Sequence, residues 1–417
     1  MFSKVALFAL AALACAVQPA LAQQDRPPFP DGPGKQIFVA ACGGCHDINR
    51  ARSGYTPDGW RTVMRMMQNF GVALPSKRRA MLTAYLIESF PERERPPAVV
   101  IGGAVEAAIK LFPVPTPGSR PHDPLAARDG SIWYTGQMAN RLGRLDPASG
   151  ATREFALPTP RTAPHGLAED RAGNIWYTGN RAGLVGKLDP RTGRVTEYRM
   201  PGAAANGPHT DPHSVAIDRN GMVWFTLQHA NMIGRLDPGS GAVRLVKSPT
   251  PRSRPYGLAI NRDGVPVVAL FGSNKIATVD PQSMRIAEHA LPNPAARPRR
   301  LALGPDGAVW YTDFARGFLG RLNLKTGAHK EWLSPSGAKS RPYGIVFARG
   351  AIWYSESFAK PNTIVRFEPR TQKFQSWEIP GGGDIVRNMD VTREGNPVTA
   401  NSLTNQIGLV EVEVNDR

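Results

Sequence analysis

The chain has 417 residues, including 51 Lys or Arg and 34 Asp or Glu, and its formal net charge at pH 7 is +17. This length exceeds the usual range of one domain, so we expect two domains. The basic residues are scattered rather than clustered in a stripe, which argues against nucleic acid and favours a solvated surface, an acidic redox partner or an anionic substrate.

Residues 1–22 have the pattern of a secretory signal peptide. Lys4 precedes an apolar run over 5–17, and residues 20–22 form a small-residue cleavage site. The run is too short to span a bilayer and no later segment is long enough. We therefore expect a periplasmic protein with no membrane span. Cys15 leaves a lipoprotein as an alternative, although the residues before it match that signal poorly.

The next motif, Cys42-Gly43-Gly44-Cys45-His46, is typical of c-type haem attachment. Two thiols bond the vinyl groups, and the adjacent imidazole is available to the iron. A redox CxxC motif is the alternative, but no βαβ pattern follows it. We therefore expect haem c bound covalently through Cys42 and Cys45.

Three stretches between residues 31 and 95 have helical periodicity, namely 34–41, 57–70 and 76–90. With Gly34 and Phe38 on the first stretch, the haem motif, and Tyr85 on the last, this region resembles a mono-haem class I cytochrome c. The resemblance implies a small all-α domain in which the first and last helices cross at the glycine. It also implies that His46 is the proximal iron ligand and that a methionine is the distal one.

Four methionines are candidates for the distal ligand. In some members of the family the ligand stands four residues before a glycine, and Met67 has this spacing to Gly71. We therefore expect Met67 to bind the iron. Met64, Met66 and Met81 remain alternatives, and any of the four could instead fill the core.

A Pro-rich linker at 96–103 leads into a repeat over residues 104–414. A turn pair ending in glycine recurs seven times, mostly 43 residues apart. These glycines are Gly130, Gly173, Gly221, Gly264, Gly307, Gly350 and Gly395. Such a period, rich in Trp, Tyr and Val, predicts an all-β, seven-bladed β-propeller.

The two ends of the repeat complement each other. The last copy stops after its third strand, at 407–414, and an orphan strand over 107–112 precedes the first copy. Pairing the two would close the ring with the N-terminal strand and protect both open edges.

The recurring motifs Pro-x-Gly-Leu-Ala, Asp-Gly-x-Ile-Trp-Tyr-Thr and Ile-Gly-Arg-Leu-Asp-Pro resemble those of the virginiamycin B lyase (streptogramin lyase) propellers. The repeated tryptophans are Trp133, Trp176, Trp224, Trp310 and Trp353. This resemblance covers about three quarters of the chain and implies the fold more strongly than the activity.

At one position ahead of each blade, the side chain can always form hydrogen bonds. Its occupants are His122, His165, His213, Tyr256, Arg299, Tyr343 and Arg387. If the first strands line the channel, the three imidazoles converge, and Asp313 and Glu356, which end second strands, stand near them. The candidate catalytic residues are therefore His122, His165, His213, Asp313 and Glu356, around a divalent metal, an anion or a small-molecule substrate. Alternatively, these side chains line a wet channel.

Three functions fit these observations. The first is an exported electron-transfer protein, in which the propeller binds a substrate or a redox partner. The second is a catalytic propeller that feeds electrons to the haem. The third is a lyase acting on cyclic depsipeptides. The lyase resemblance implies a cation held by acids, yet only Asp313 and Glu356 are acidic at the expected position.

Overall fold

A computed structural model describes residues 28–43, 47–202 and 210–414. The N-terminal part contains three short helices, α1 (Lys35–Cys42), α2 (Pro57–Asn69) and α3 (Ser76–Ser89), and a 3₁₀ helix at Ile48–Ser53. We call residues 28–90 the helical unit. None of the helices in the described ranges is long and apolar enough to cross a membrane.

The helical unit is built around an aromatic core. Phe38, Trp60, Tyr85 and Phe90 are buried together, and the indole of Trp60 donates a hydrogen bond of 2.7 Å to the carbonyl of Phe90. A Cβ on Gly34 would lie 2.3 Å from Cβ of Tyr85. Helices α1 and α3 can therefore approach closely because position 34 has no side chain.

The described residues between 105 and 414 form seven four-stranded antiparallel sheets, which confirms the predicted seven-bladed β-propeller. The first strands of neighbouring blades contact one another around the ring, so they line the central channel. In blade order the first strands are Pro121–Ala126, Pro164–Glu169, Pro212–Ile217, Pro255–Ile260, Pro298–Leu303, Pro342–Ala348 and Val386–Val391.

Three further strands extend each blade outward. The second strands are Ile132–Gly136, Ile175–Gly179, Val223–Leu227, Pro266–Leu270, Val309–Asp313, Ala351–Glu356 and Pro397–Asn401. The third strands are Arg141–Leu145, Leu184–Leu188, Met232–Leu236, Lys275–Val279, Phe318–Leu322, Thr363–Glu368 and Gln406–Val414. The fourth strands are Thr152–Ala156, Val195–Arg199, Val243–Lys247, Ile286–Ala290, His329–Leu333, Lys373–Glu378 and, for blade 7, Val105–Pro113.

The ring closes as the two ends of the repeat predict. Val105–Pro113 pairs antiparallel with Gln406–Val414, with Ile109 opposite Val410. The N-terminal strand thus completes blade 7 and pairs the outer edge of its third strand.

The seven turn glycines all have positive φ, between 72° and 85°. This backbone region strongly favours glycine. The repeated glycine therefore marks the turn between first and second strands in every blade.

The segment between the helical unit and the ring is fastened to blade 6. The amide of Ala98 donates to the carbonyl of Lys360, that of Val99 to the hydroxyl of Ser336 and that of Ile101 to the hydroxyl of Ser376. The Pro-rich linker is thus a strap along one blade and not a loose tether.

Candidate functional site

The polar position recognised in the sequence is the second residue of each first strand. We call its seven occupants the polar ring: His122, His165, His213, Tyr256, Arg299, Tyr343 and Arg387. They lie at the end of the channel where the first strands begin, which we call the upper rim. The loops that lead into first strands and the loops that follow second strands share this rim.

Three adjacent blades bring the histidines of the polar ring together. The ring centroids of His122 and His165 are 4.2 Å apart, those of His165 and His213 are 4.8 Å apart, and those of His122 and His213 are 5.9 Å apart. All three side chains are buried. The predicted convergence of the imidazoles is therefore present, and we call it the histidine cluster.

Hydrogen bonds at Nδ1 orient two of these rings. Nδ1–H of His122 donates to Oδ1 of Asp123 at 2.7 Å, and Nδ1–H of His165 donates to the carbonyl of Ala163 at 3.0 Å. These partners assign the proton to Nδ1 and leave Nε2 as an acceptor, which in His165 faces the amide of Gln137 at 2.9 Å. The arrangement matches the hydrogen bonds that usually orient metal-binding histidines.

The histidine cluster can hold a metal ion. Burial lowers the pKa of His165 to about 3, and burial followed by the charge of His165 holds the pKa of His122 and His213 well below the usual value. Each neutral ring can offer one nitrogen, and the three atoms lie within 4.8 Å of one another. Around a tetrahedral ion with bonds of about 2.1 Å the ligand nitrogens would lie roughly 3.4 Å apart, so the three rings would have to move closer together to share one ion.

The opposite side of the polar ring combines phenols with guanidinium groups. The hydroxyls of Tyr256 and Tyr343 are 2.5 Å apart. The guanidinium carbon of Arg299 lies 3.9 Å from the ring centroid of Tyr343 and 5.0 Å from that of Tyr256. Burial raises the pKa of Tyr343, but Arg299 and Arg387 outweigh it, so its pKa is lower than usual.

A hydrogen-bonded layer crosses the channel beneath the polar ring. Arg300 donates to Oδ1 of Asp123 at 3.0 Å and to the hydroxyl of Ser214 at 2.9 Å, and Asn388 donates to Oδ2 of Asp123 at 2.9 Å. Below it lies a cavity of about 320 Å³, lined by the rest of the first strands. The layer thus forms a polar floor under the histidine cluster.

Asp313 and Glu356 lie apart from the histidines. The one potential metal-binding group of histidine, cysteine or acidic side chains within the described ranges contains neither. Asp313 accepts hydrogen bonds from the amides of Arg297 and Arg316. The second strand lies one strand away from the channel, so the side chain at its end contacts the rim loops.

Glu356 is occupied in the same way. Its Oε1 accepts from the hydroxyl of Ser334 at 2.6 Å and the amide of Ser336 at 2.8 Å, and its Oε2 accepts from the hydroxyls of Ser336 and Thr363 at 2.5 and 2.6 Å. Both carboxylate oxygens are therefore used within blade 6 and its leading loop.

Gln137 is a site residue that the sequence did not single out. It follows Gly136, the residue counted as the end of the second strand, and its Nε2 lies 2.9 Å from Nε2 of His165. Its side chain is 6% exposed, and its Oε1 has no hydrogen-bond partner among the described residues. The sequence feature that could have identified Gln137 was its polar side chain, one position after the residue counted as the end of the second strand.

The helical unit lies on the upper rim. The amide of Asn69 donates to the carbonyl of Pro117 at 2.9 Å, in the loop that leads into blade 1. The guanidinium of Arg181, in blade 2, lies 5.0 Å from the ring centroid of Phe70. On blade 7, a Cβ added to Gly59 would lie 3.3 Å from the Leu403 side chain. The unit and the histidine cluster therefore occupy the same end of the ring.

The haem motif is described only in part. Cys42 ends α1, and its half-buried side chain packs on the aromatic core. Cys45 and His46 lie outside the described residues, as does the predicted signal peptide. Of the methionines on α2, Met64 is buried in that core, Met66 is buried outside it and Met67 is half-buried. Met81 on α3 is 38% exposed.

Comparisons with known proteins address the propeller. The model of the virginiamycin B lyase family matches residues 100–279 and 249–415. A solved streptogramin B lyase is 26% identical with a TM-score of 0.67, and the match covers 74% of this chain and 98% of that one. A comparison with curated proteins gives no match.

Two further solved structures share the propeller fold. One is a catalytically inactive histidine-to-alanine variant of virginiamycin B lyase from Staphylococcus aureus with quinupristin. It is 23% identical with a TM-score of 0.65, covering 73% of this chain and 99% of that one. The other is the hydrazine synthase of Kuenenia stuttgartiensis, 14% identical with a TM-score of 0.59, covering 72% and 96%.

Proposed function

Given that the chain belongs to the virginiamycin B lyase family, we propose that its propeller is the substrate- or partner-binding half of an exported c-type cytochrome. The haem-attachment motif carries this proposal, and the position of the helical unit on the upper rim supports it. A group bound at the polar ring would lie at the same end of the ring as the haem-bearing helices.

The residues of the helical unit suit a covalent haem. Cys42 is placed at the end of α1 with its side chain against an apolar, aromatic core, which is the surrounding that a porphyrin needs. In this proposal Cys42 and Cys45 hold the haem and His46 binds the iron as proximal ligand. The bound haem would supply a reversible one-electron couple.

Met67 is proposed as the distal ligand. Met64 is already enclosed among aromatic side chains, Met66 is buried outside that core, and Met81 is the most exposed of the four. Met67 is half-buried on the same helix and has the spacing to Gly71 that the cytochrome resemblance implies. Its thioether would raise the reduction potential relative to a second histidine.

Export and partner choice follow from the same proposal. A signal peptide over residues 1–22 would deliver the chain to the periplasm, where covalent haem attachment takes place. The net charge of +17 favours an acidic redox partner, because complementary charge speeds association.

The experiment is to express the full chain with its signal peptide in a host that matures c-type cytochromes. A covalent haem that remains after acid–acetone extraction, with a His/Met absorption spectrum, is the expected result. Cys45→Ala should lose one thioether bond, and Met67→Leu should lose the His/Met spectrum. If the purified protein carries no covalently bound haem, the proposal is wrong.

The histidine cluster favours a second candidate, in which the propeller is itself catalytic around a metal. Three neutral imidazoles can bind an ion and leave a position for substrate. Metal analysis of the wild type, His165→Ala and His213→Ala tests this candidate. Unchanged metal content and unchanged turnover in both variants would count against it.

Cleavage of a cyclic depsipeptide, as in the streptogramin lyase to which the chain is similar, remains the third candidate. Its support is the family alone, since Asp313 and Glu356 have other partners here. Incubation of a streptogramin with the protein and magnesium, followed by mass spectrometry for the linear product, decides it.

A further inference from the structure

The upper rim holds an unusual concentration of unpaired buried polar atoms. Buried polar atoms in folded proteins almost always have a hydrogen-bond partner. Six buried side-chain atoms among the described residues have none, and all six belong to residues at the upper rim. They are Ser119 Oγ, Gln137 Oε1, Thr210 Oγ1, Arg299 Nε, Ser340 Oγ and Asn401 Nδ2.

The same rim carries one arginine whose charge has no matching carboxylate. Within the described ranges Arg299 forms no salt bridge, and its guanidinium is instead surrounded by the rings of Tyr343, Phe314 and Phe271 at 3.9, 4.1 and 4.5 Å. Aromatic faces hold the guanidinium plane, while its N–H groups point outward from the edge of that plane. Arg299 is thus oriented by aromatic rings, while its Nε has no hydrogen-bond partner among the described residues.

Two further guanidinium groups enlarge this charge. Burial, followed by the charge of Arg387, lowers the pKa of Arg120 to about 10. The negative charge of Asp384 raises the pKa of both arginines. Its Oδ1 also lies 3.7 Å from Nη2 of Arg95, so three arginines share one carboxylate. Arg300 is different, because Asp123 pairs with it in the floor layer. The neutral histidine cluster adds no negative charge.

We propose that the upper rim, on the side of the polar ring that faces the helical unit, binds a small carboxylate. Arg299, Arg387 and Arg120 would neutralise it, and the phenols of Tyr256 and Tyr343 would border it. The histidine cluster lies beside it, since the rings of His213 and Tyr256 are 4.0 Å apart. Guanidinium groups suit carboxylates because their paired N–H donors match the two oxygens. The inference rests on the proposed binding role of the propeller and names the class of its ligand.

The test is calorimetric titration of the full-length haem protein with succinate, at low salt and after treatment with EDTA so that no metal contributes. Saturable binding is expected for the wild type. Arg299→Gln should bind at least about tenfold more weakly, as for loss of a hydrogen bond to a charged group. Arg299→Lys should fall between the two, because it keeps the charge but loses the planar fork.

Arg285→Gln is the matched control, because Arg285 is an exposed arginine on the outer turn of blade 4. It should bind succinate like the wild type. If Arg299→Gln does not fold by circular dichroism, Arg387→Gln replaces it with the same expected loss. No saturable binding by the wild type, or equal binding by the folded arginine variant and the control, overturns the proposal.

A parallel titration with inorganic phosphate tests the ligand class. Binding of phosphate that depends on Arg299, without binding of succinate, would replace a carboxylate by a phosphate-type anion and overturn the proposal as stated. The haem content of the same preparation is read from its absorption spectrum. Failure of haem attachment and failure of anion binding are therefore separate results.

Discussion

The carboxylate of Asp123 in blade 1 and the guanidinium of Arg300 in blade 5 meet across the channel, with Nη2 of Arg300 3.0 Å from Oδ1 of Asp123. Both side chains are almost fully buried. The same carboxylate accepts from His122, so one ion pair both joins distant blades and orients a histidine of the cluster.

Removing the cation from this pair should destabilise the ring. Arg300→Met leaves the Asp123 carboxylate buried without its countercharge, which typically costs about 3–5 kcal/mol. Urea unfolding at pH 7.5 measures the change in the free energy of unfolding. The double variant Asp123→Asn/Arg300→Met, which carries neither charge, should recover much of the loss. Equal stability of Arg300→Met and wild type would contradict this role.

The pH dependence of stability should show the half-buried Asp390. Burial raises the pKa of Asp390 to about 6 from its ordinary value of 3.8. Between these values the unfolded carboxyl loses its proton while the folded one keeps it, so stability falls as pH rises, by about 1.4 kcal/mol per pH unit.

Asp390→Asn should remove this contribution. The free energy of unfolding of the wild type relative to the variant should decline from pH 4 to pH 6 and level off above pH 6. Urea titrations at half-unit intervals of pH provide the measurement. Asp146→Asn is the control, because Asp146 is exposed and its pKa is lowered by the Ser149 hydroxyl. A difference that does not change with pH would be inconsistent with a raised pKa of Asp390.

Gly118 should be needed for docking of the helical unit. Its φ is 68°, and an added Cβ would lie 3.0 Å from Cβ of Arg65 and from the amide nitrogen of Met66. Gly118→Ala should therefore combine a backbone cost of about 1 kcal/mol with a clash against α2. Limited proteolysis should cut the helical unit faster in this variant.

The control for Gly118 is Gly193→Ala. Gly193 has a similar φ of 72°, and nothing lies within 4 Å of an added Cβ. It should lose only the backbone contribution and keep the proteolysis rate of the wild type. Equal rates for the two variants would mean that this contact does not hold the helical unit.

Glu356 should act in stability rather than in metal binding. Glu356→Gln replaces one acceptor oxygen by a donor amide, which cannot accept from the hydroxyl groups that surround Oε2. We expect a loss of about 1–3 kcal/mol in the free energy of unfolding and unchanged metal content. The exposed Glu394→Gln serves as control. A loss of bound metal in Glu356→Gln would return this residue to the list of ligand candidates.

The recurring patterns made much of the fold predictable. The blade can be recognised because its pattern joins residues close in the chain. A glycine turn recurs in all seven blades, and a tryptophan follows it at a fixed distance in five of them. Ring closure by 107–112 followed from counting strands. The histidine cluster was also predictable, since His122, His165 and His213 hold the same position in consecutive blades.

The surroundings of the site were less predictable. The sequence placed Asp313 and Glu356 near the histidines because they end second strands, but hydrogen bonds within the rim loops hold both elsewhere. Gln137 was not predicted because Gly136, one residue earlier, was taken as the rim position of blade 1. The side-chain direction of a residue at the end of a strand depends on which loop donors reach it, and a repeat pattern does not specify those donors.

By itself the sequence determined the blade, the number of blades and the closing strand, since each depends on spacing along the chain. Tertiary structure alone decided that the helical unit lies on the upper rim, that the linker is strapped to blade 6 and that Asp123 meets Arg300. These contacts join residues far apart in the chain, 177 positions for the last pair. They exist only after ring closure brings separate blades within the few ångströms over which hydrogen bonds form.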